Sequence, residues 1–396
     1  MAHLKKIKVT ELKLGMYFCG FEAGWMSHPF WKSKFLLKEF ADLQSARNCG
    51  IVDCWIDTEK GKDVTPTRQE SASLPIEKPC SAENIFLADV EQARMLCESA
   101  KTATERMFND VRLGHAIDMA HCLPLVEQIT ASVMKNSNAL LSVVRLKSCD
   151  DYTYLHSVAV CALMIALART LGMDDPACKE AGLAGLLHDI GKVFIAPELL
   201  NKNGSLTAAE YAIVQRHPVL GYEHLNRDNN VANFACEVVL HHHEKIDGSG
   251  YPDQLSGTAI STLSRMAAIC DVYDAITSNR PYKNGWDPAY SLAQMVSWHG
   301  HFDKIMLSAF VKTLGIYPIG SLVKMQSARM ALVIRQNPTS LTKPVVKAFV
   351  LDNGGAILSA QMIDLSAPGE SDRILERGGE EGHKFGSLDK LWMYDT

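Results

Sequence analysis

The stretch Gly185-Leu186-Leu187-His188-Asp189-Ile190-Gly191-Lys192 decides how the chain is read. An apolar run of helical character delivers a histidine and an aspartate side by side, and a glycine then breaks it. Successive helix residues point about 100° apart. An adjacent His-Asp pair therefore offers an imidazole to one ion and a carboxylate to the same ion or its neighbour. Lys192 follows His188 by four residues, on roughly the same face. It brings positive charge suited to a phosphate oxygen or, more plainly, to solvent at a helix end.

Outward from this point histidine is concentrated: seven of the fourteen lie between His156 and His243. Downstream comes His242-His243-Glu244-x-x-Asp247-Gly248-Ser249-Gly250-Tyr251-Pro252. Its two adjacent imidazoles point in different directions and are expected to bracket a metal pair. The glycines permit positive φ and close backbone approach, and Pro252 stiffens the exit. His241 makes a third consecutive histidine, which leaves the register open. Asp271 and Asp274 follow at i,i+3 on one helix face, among Ala267, Ala268, Ile269, Val272 and Ala275. Carboxylates there are costly to bury unless paired or metal-bound. Arg280 and Lys283 come next in a loop, where guanidinium and ammonium groups can clamp phosphate. Each histidine alone reads more readily as a core or surface residue with a hydrogen-bond partner. The set points to a centre for Mn, Fe or Zn, and the lack of paired cysteines argues against structural zinc.

The remainder bounds the class. The chain has 396 residues, 47% hydrophobic and 21% charged, which fits a folded protein of two or three domains. A net charge of -5 leaves no global basic field for a nucleic-acid polymer. Eleven cysteines without a C-x-x-C pair suggest free thiols in a reducing cytoplasm. MAHLKKIKVT is basic with no apolar run behind it, so no signal peptide is expected. The longest apolar run, Val158 to Ala168, has eleven residues, against the roughly 20 of a membrane span. It reads as a core helix, with no membrane insertion expected.

Periodicity predicts a mainly α protein. Residues 1–64 form a small α+β domain, with β-like runs at Lys6–Val9, Leu14–Phe21 and Gly50–Asp57 and a helix over Phe35–Asn48. Residues 65–82 are a linker, and residues 83–147 carry long helices for regulation, dimerisation or packing on the core. Residues 148–315 are the helical catalytic region, with helices at Tyr152–Leu171, Ala177–Leu187, Ala208–Gln215, Val231–His243, Ser261–Thr277 and Tyr290–Gly315. Residues 316–396 form a β-rich segment with strands at 321–325, 331–334 and 345–350.

The ordered set of His156 in YTYLHS, HDIGK at 188–192, His217-Pro218 in RHPVLG, HHEKIDGSGYP at 242–252 and DVYDAITSNRPYK at 271–283 resembles the HD-GYP family of the HD phosphohydrolase superfamily. The match covers about residues 145–315. Residues 4–60 also look like the small domain often found before such modules. The resemblance implies an all-α HD-type helical core. It also implies a metal-dependent phosphodiesterase that hydrolyses cyclic di-GMP to pGpG and then GMP by a two-metal activated hydroxide. Carried over, the metal ligands are His156, His188, Asp189, His217, His242, His243 and Asp271, with His188, Asp189 and Lys192 catalytic and Asp189 bridging. Lys192, Arg280 and Lys283 contact phosphate, and Tyr251 and Pro252 complete the loop that names the family. Members of a three-metal type carry Glu where this chain has Tyr152, so two divalent ions, Fe or Mn, are expected. For the proton to the leaving oxygen, water comes first and His241 second. Alternatives from other classes are a non-hydrolytic cyclic dinucleotide sensor and a hydrolase of cyclic GMP-AMP. A homodimer through the long helices is a further expectation.

Overall fold

The computed structural model describes residues 4–21, 34–37, 43, 46, 53–62, 82–145, 152–202, 204–227, 231–279, 284–337, 339–351 and 357–378. They divide into two units, Met1–Lys78 and Pro79–Thr396.

In the first unit β1 (Leu4–Lys8), β2 (Tyr17–Phe21), β3 (Phe35–Leu36) and β4 (Asp53–Asp57) form an antiparallel sheet of order β1-β4-β2-β3. Alternation along the strands turns Ile7, Phe18, Cys54 and Ile56 into a small core with Leu12, Met16 and Leu37. Two expectations change here. Leu14–Met16 is a turn rather than strand, because Gly15 takes φ +91°. Phe35–Leu36 pairs with β2 instead of opening a helix, and most of the helix expected up to Asn48 lies outside the described residues, as does most of the linker.

In the second unit α1 (Ala82–Arg112) and α2 (Met119–Arg145) lie against α3 (Tyr152–Thr170) and α4 (Asp175–Leu187). Ala100, Phe108, Ile129 and Val133 of the first pair share one apolar core with Val158–Ala168 of α3 and Leu186 of α4. The two long helices therefore pack on the catalytic region. Each fully buried Leu, Ile or Phe contributes about 1.5–3 kcal/mol. Thr153–Thr170 is long and apolar enough to cross a membrane by composition, but 72% of it is buried inside the protein. Within α2, Asn136 leaves helical geometry at φ -157° and ψ 89°. Its amide donates to the buried carboxylate of Asp89, and its oxygen accepts from Ala139 N, recapping the chain beyond the kink.

Short helices follow: α5 (Pro197–Leu200), α6 (Ala208–Val214), α7 (His217–Leu225), α8 (Asn233–His241), α9 (Thr262–Thr277), α10 (Pro288–Ser297) and α11 (Lys304–Leu314). Side-chain caps set the starts of α4 (Asp174), α6 (Thr207), α9 (Ser261), α10 (Asp287) and α11 (Asp303). The single helix expected over Tyr290–Gly315 is thus two. Gly300 turns at φ +79°, and Asp303 restarts the chain as a cap. α7 was not expected at all.

The C-terminal strands β5 (Leu322–Met325), β6 (Met330–Arg335), β7 (Val345–Leu351), β8 (Ile357–Asp364) and β9 (Ile374–Arg377) form an antiparallel sheet of order β8-β7-β6-β5-β9. It is buried on both faces, Val323, Val333 and Val346 on one and Leu322, Leu332 and Phe349 on the other. Asp287 holds it to the helices: while one oxygen caps α10, the other accepts from Leu322 N at 2.9 Å. The fold is mainly α with strand-bearing segments at both ends, as the periodicity predicted.

Candidate active site

Two helix pairs are brought unusually close by glycine, and both carry metal-ligand candidates. α3 and α4 approach because Gly182 and Gly185 offer no side chain. A Cβ on Gly182 would come 2.7 Å from Ile165 Cδ1, and one on Gly185 3.0 Å from Val160 O. This contact sets His156, early in α3, beside His188, just past the end of α4. The chain after Asp189 then winds through a tight 3-10 turn, Ile190–Phe194. There a Cβ on Gly191 would sit 1.9 Å from the His217 carbonyl oxygen, and one on Gly221 would sit 3.0 Å from Gly191 N. Backbone lies on backbone, and His217, the first residue of α7, is delivered to Asp189. His242 and His243 follow α8, and Asp271 projects from α9.

Four of the imidazoles are aimed by their outer nitrogen. His188 Nδ1 bonds Gly185 O at 2.8 Å, His217 Nδ1 bonds Val214 O at 2.8 Å, and His242 Nδ1 bonds Val239 O at 3.0 Å. His156 Nδ1 instead meets Asp274 Oδ2 at 2.7 Å. With Nδ1 donating, each Nε2 faces inward, where losing any proton it carries exposes the lone pair a metal-binding histidine requires. His243 is held differently, its ring stacked on Tyr251 at 4.8 Å and its Nδ1 3.8 Å from Asp271 Oδ2.

Asp189 stands between two donor groups. Its Oδ1 lies 3.3 Å from His217 Nε2 and 3.7 Å from His242 Nε2, and its Oδ2 lies 3.3 Å from both His156 Nε2 and His188 Nε2. Asp271 Oδ1 completes the second set, 3.0 Å from His156 Nε2 and 3.8 Å from His188 Nε2. Two clusters with converging donor atoms result: Asp189, His217, His242 and His243, and His156, His188, Asp189 and Asp271. His242 and His243 were expected to bracket a metal pair. They fall in one cluster, because the chain turns between them at the end of α8.

The electrostatics follow from this crowding. Burial disfavours charge on Asp189, but Lys192 and His188 hold its carboxyl well below the usual range. Burial is likewise overcome at Asp271, which His156 and His188 keep ionised. The same carboxylates raise His156 and bring His188 up to about 10 against the effect of burial. Burial pushes His243 down to about 3 and, with His243 and His188 close by, takes His242 well below its usual value. Lys192 Nζ sits 2.5 Å from Asp189 Oδ2 with a quarter of its side chain exposed, so it pairs with the shared carboxylate while reaching the opening. Helix geometry has ended by then, and Lys192 is matched to Asp189 rather than to the face of His188.

The donor set fits divalent cations. His188 Nε2 and Asp189 Oδ1 are buried without a hydrogen-bond partner, which is costly unless something else satisfies them. All donors are imidazole nitrogen or carboxylate oxygen, the chemistry of Mn, Fe or Zn rather than of a thiolate site.

A profile for the HD domain matches residues 124–305, and one for a domain of unknown function, DUF3391, matches residues 4–122. A cyclic di-GMP phosphodiesterase of Pseudomonas aeruginosa is 48% identical over 395 residues, spanning 98% of this chain and 95% of that protein. This chain belongs to the HD-GYP family. Likeness to other relatives is local. A cyclic di-GMP phosphodiesterase response regulator of Xanthomonas campestris pv. campestris is 38% identical over 148 residues, 37% of this chain and 39% of the relative. A 3'3'-cGAMP-specific phosphodiesterase of Vibrio cholerae is 39% identical over 178 residues, 43% of this chain and 40% of the relative.

The seven ligand candidates of the family motifs thus lie together, with Lys192 and Tyr251 beside them. Pro252 follows Tyr251 through a cis peptide bond. Arg280 and Lys283 lie outside the described residues. His241 is not in either cluster; its Nε2 bonds Asp253 Oδ2 at 2.9 Å. Sequence reasoning noticed Asp274 without giving it a role, although its i,i+3 relation to Asp271 carried the signal. It missed the support given by Glu244, a buried carboxylate that accepts from Asp253 N at 2.7 Å and so fixes the loop around Tyr251. Gly250 packs on that same residue, its Cβ position only 2.5 Å from Glu244 Cα.

Proposed function

We propose that this protein is a metal-dependent phosphodiesterase that opens cyclic di-GMP to pGpG and continues to GMP. The observation that carries the reading is Asp189, whose two oxygens face separate histidine clusters. A pair of cations held by those clusters would share it. Family membership, and 48% identity over nearly the whole chain to a phosphodiesterase of that name, support the substrate.

Fe or Mn is the proposed metal, on the grounds of five imidazoles with two carboxylates. When bound, such ions supply a nucleophile from water at neutral pH and offset phosphate charge. The chain's own residues do the rest. His156, His188, His217 and His242 present inward nitrogens set by their Nδ1 partners. Asp189 and Asp271 bring the negative charge that retains the cations. Lys192, at the opening, supplies positive charge to a phosphate oxygen, and Arg280 and Lys283 serve the same end. Tyr251 and Pro252 line the entrance beside His243.

Protein loaded anaerobically with Fe²⁺ or Mn²⁺ is expected to convert cyclic di-GMP to pGpG and GMP, read by chromatography. Absence of both products under either loading overturns the reading. Likeness to the Vibrio enzyme supports a second substrate, cyclic GMP-AMP, and side-by-side rates decide the preference. The proposed location is the cytoplasm, since the eight cysteines among the described residues are all free thiols. Exposed Met95 and Leu123 on the long helices, with Leu113 in the turn between them, support a homodimer, which sedimentation decides.

A further inference from the structure

The loop that carries Tyr251 is held from a part of the chain outside the motifs. Between Glu244 and Gly257 it closes on itself: Asp247 bridges Ser256, and Gly257 N donates to Ile246 O at 3.0 Å. Its inner side rests on the histidines, with Tyr251 N donating to His243 O at 3.3 Å. Its outer edge is bonded by the turn between α10 and α11. Ile246 N donates to His301 O at 3.2 Å and Asp247 N to Gly300 O at 3.0 Å, so two successive loop amides find their acceptors there. Ring packing stiffens that turn: His301 stacks on Phe302 at 4.2 Å and on Trp298 at 5.7 Å.

Gly300 is where the two segments touch. It takes φ +79°, and a Cβ on it would lie 2.5 Å from Asp247 Oδ2 and 3.0 Å from Asp247 Cβ. The carboxylate is tied, since its Oδ1 accepts from Ser249 N at 2.9 Å, and no side-chain rotation moves the Cβ. A side chain at position 300 therefore pushes the loop off the turn. We propose that Gly300 is a positioning residue for the phosphodiesterase reaction: its bare backbone lets the turn hold Ile246 and Asp247, and so keeps Tyr251 and Pro252 placed for the cyclic dinucleotide. The inference rests on the phosphodiesterase reading and adds to it a residue outside the motifs. A loop that loses these two bonds has more conformations to give up when substrate binds. His156, His188, His217 and His242 are aimed by bonds that do not involve the loop, so the effect falls on substrate affinity rather than on metal retention.

The test compares Gly300→Ala with Gly172→Ala in the metal-loaded full chain. Gly172 shares the φ of +79°, but nothing lies within 4 Å of its Cβ position, so it carries the same backbone strain without the loop contact. In Gly300→Ala, amide hydrogen exchange over residues 245–257 is expected to quicken. KM for cyclic di-GMP should rise by about 5- to 50-fold, the loss of up to two hydrogen bonds, with kcat little changed and metal content as in wild type. Gly172→Ala should show none of these changes. An unchanged KM in Gly300→Ala overturns the inference, as does a loss confined to kcat or to metal, or an equal rise in Gly172→Ala. If Gly300→Ala does not fold, His301→Ala and His301→Phe decide. The first, which frees the turn from its ring stack, should raise KM, and the second, which keeps a ring, should restore it; equal KM in His301→Ala and wild type overturns the proposal. If the wild-type chain cleaves no cyclic dinucleotide, the functional reading fails on its own. Gly300 is then judged by loop exchange, where equal rates in the folded variant and wild type overturn its role.

Discussion

Asp274 Oδ2 accepts a 2.7 Å hydrogen bond from His156 Nδ1, while Asp271 Oδ1, one helical turn earlier, lies 3.0 Å from the opposite nitrogen of the same ring. One helix face thus sets the tautomer of an imidazole and shares its inner side. Removing the outer carboxylate leaves His156 unaimed, and such partners are typically worth about 10- to 100-fold in metal affinity. Asp274→Ala is expected to lose that much in a chelator competition assay. Asp274→Asn, which retains an accepting oxygen, should lose less. Equal affinity in Asp274→Ala and wild type would contradict the role.

Asp189 belongs to both clusters, whereas His217 and His243 belong to one and His188 to the other. Metal analysis after desalting should find two ions per wild-type chain, about one in His217→Ala or His188→Ala, and none in Asp189→Ala. Retention of a full pair by Asp189→Ala would falsify the bridging arrangement.

Gly191 tolerates no side chain, because its Cβ would meet the His217 carbonyl and the backbone of Gly221, neither of which can rotate away. Gly191→Ala is expected to push α7 off the turn, costing about 1–3 kcal/mol of stability and misplacing His217. Thermal unfolding and metal analysis check the two effects together. A variant with wild-type melting temperature and two ions would show that the backbone contact is dispensable.

Metal loading should release protons. His188 is raised to about 10 by Asp189 and Asp271 against the effect of burial, and so carries a proton in the metal-free protein at neutral pH. Because its folded value exceeds the unfolded one, its stabilising effect is fully present below about 6.5 and is lost as pH rises through about 10. A ligand must be deprotonated, so cation binding strengthens over that same window. The rise in melting temperature on adding Mn²⁺ is therefore expected to grow from pH 6.5 to 9. Titration calorimetry in buffers of different ionisation enthalpy should report at least about one proton released per chain. A pH-independent increment with no proton release would rule this out.

Much of the fold was legible because helix formation is local. α3, α4, α6, α8 and α9 stood out by period, and β5 to β7 by alternation. α7 was missed because His217-Pro218 reads as a break, although proline is well tolerated in a first turn. α10 and α11 were read as one helix, since a turn at Gly300 and a cap at Asp303 leave little trace in apolar periodicity. Phe35–Leu36 became a strand through pairing with β2, a long-range choice that no window of adjacent residues reports.

For the site, the residues themselves determined the chemistry: imidazoles, carboxylates and a lysine in an order that belongs to one family, because donor atoms are a property of each side chain. The tertiary structure alone decided which donors meet. It put His242 and His243 in one cluster and turned both oxygens of Asp189 to different neighbours. It gave Asp274 the aiming of His156. Those relations depend on helices meeting across more than a hundred residues, through glycine contacts such as Gly185 on Val160 and Gly191 on His217. Contacts between distant segments have no periodic signature in the chain.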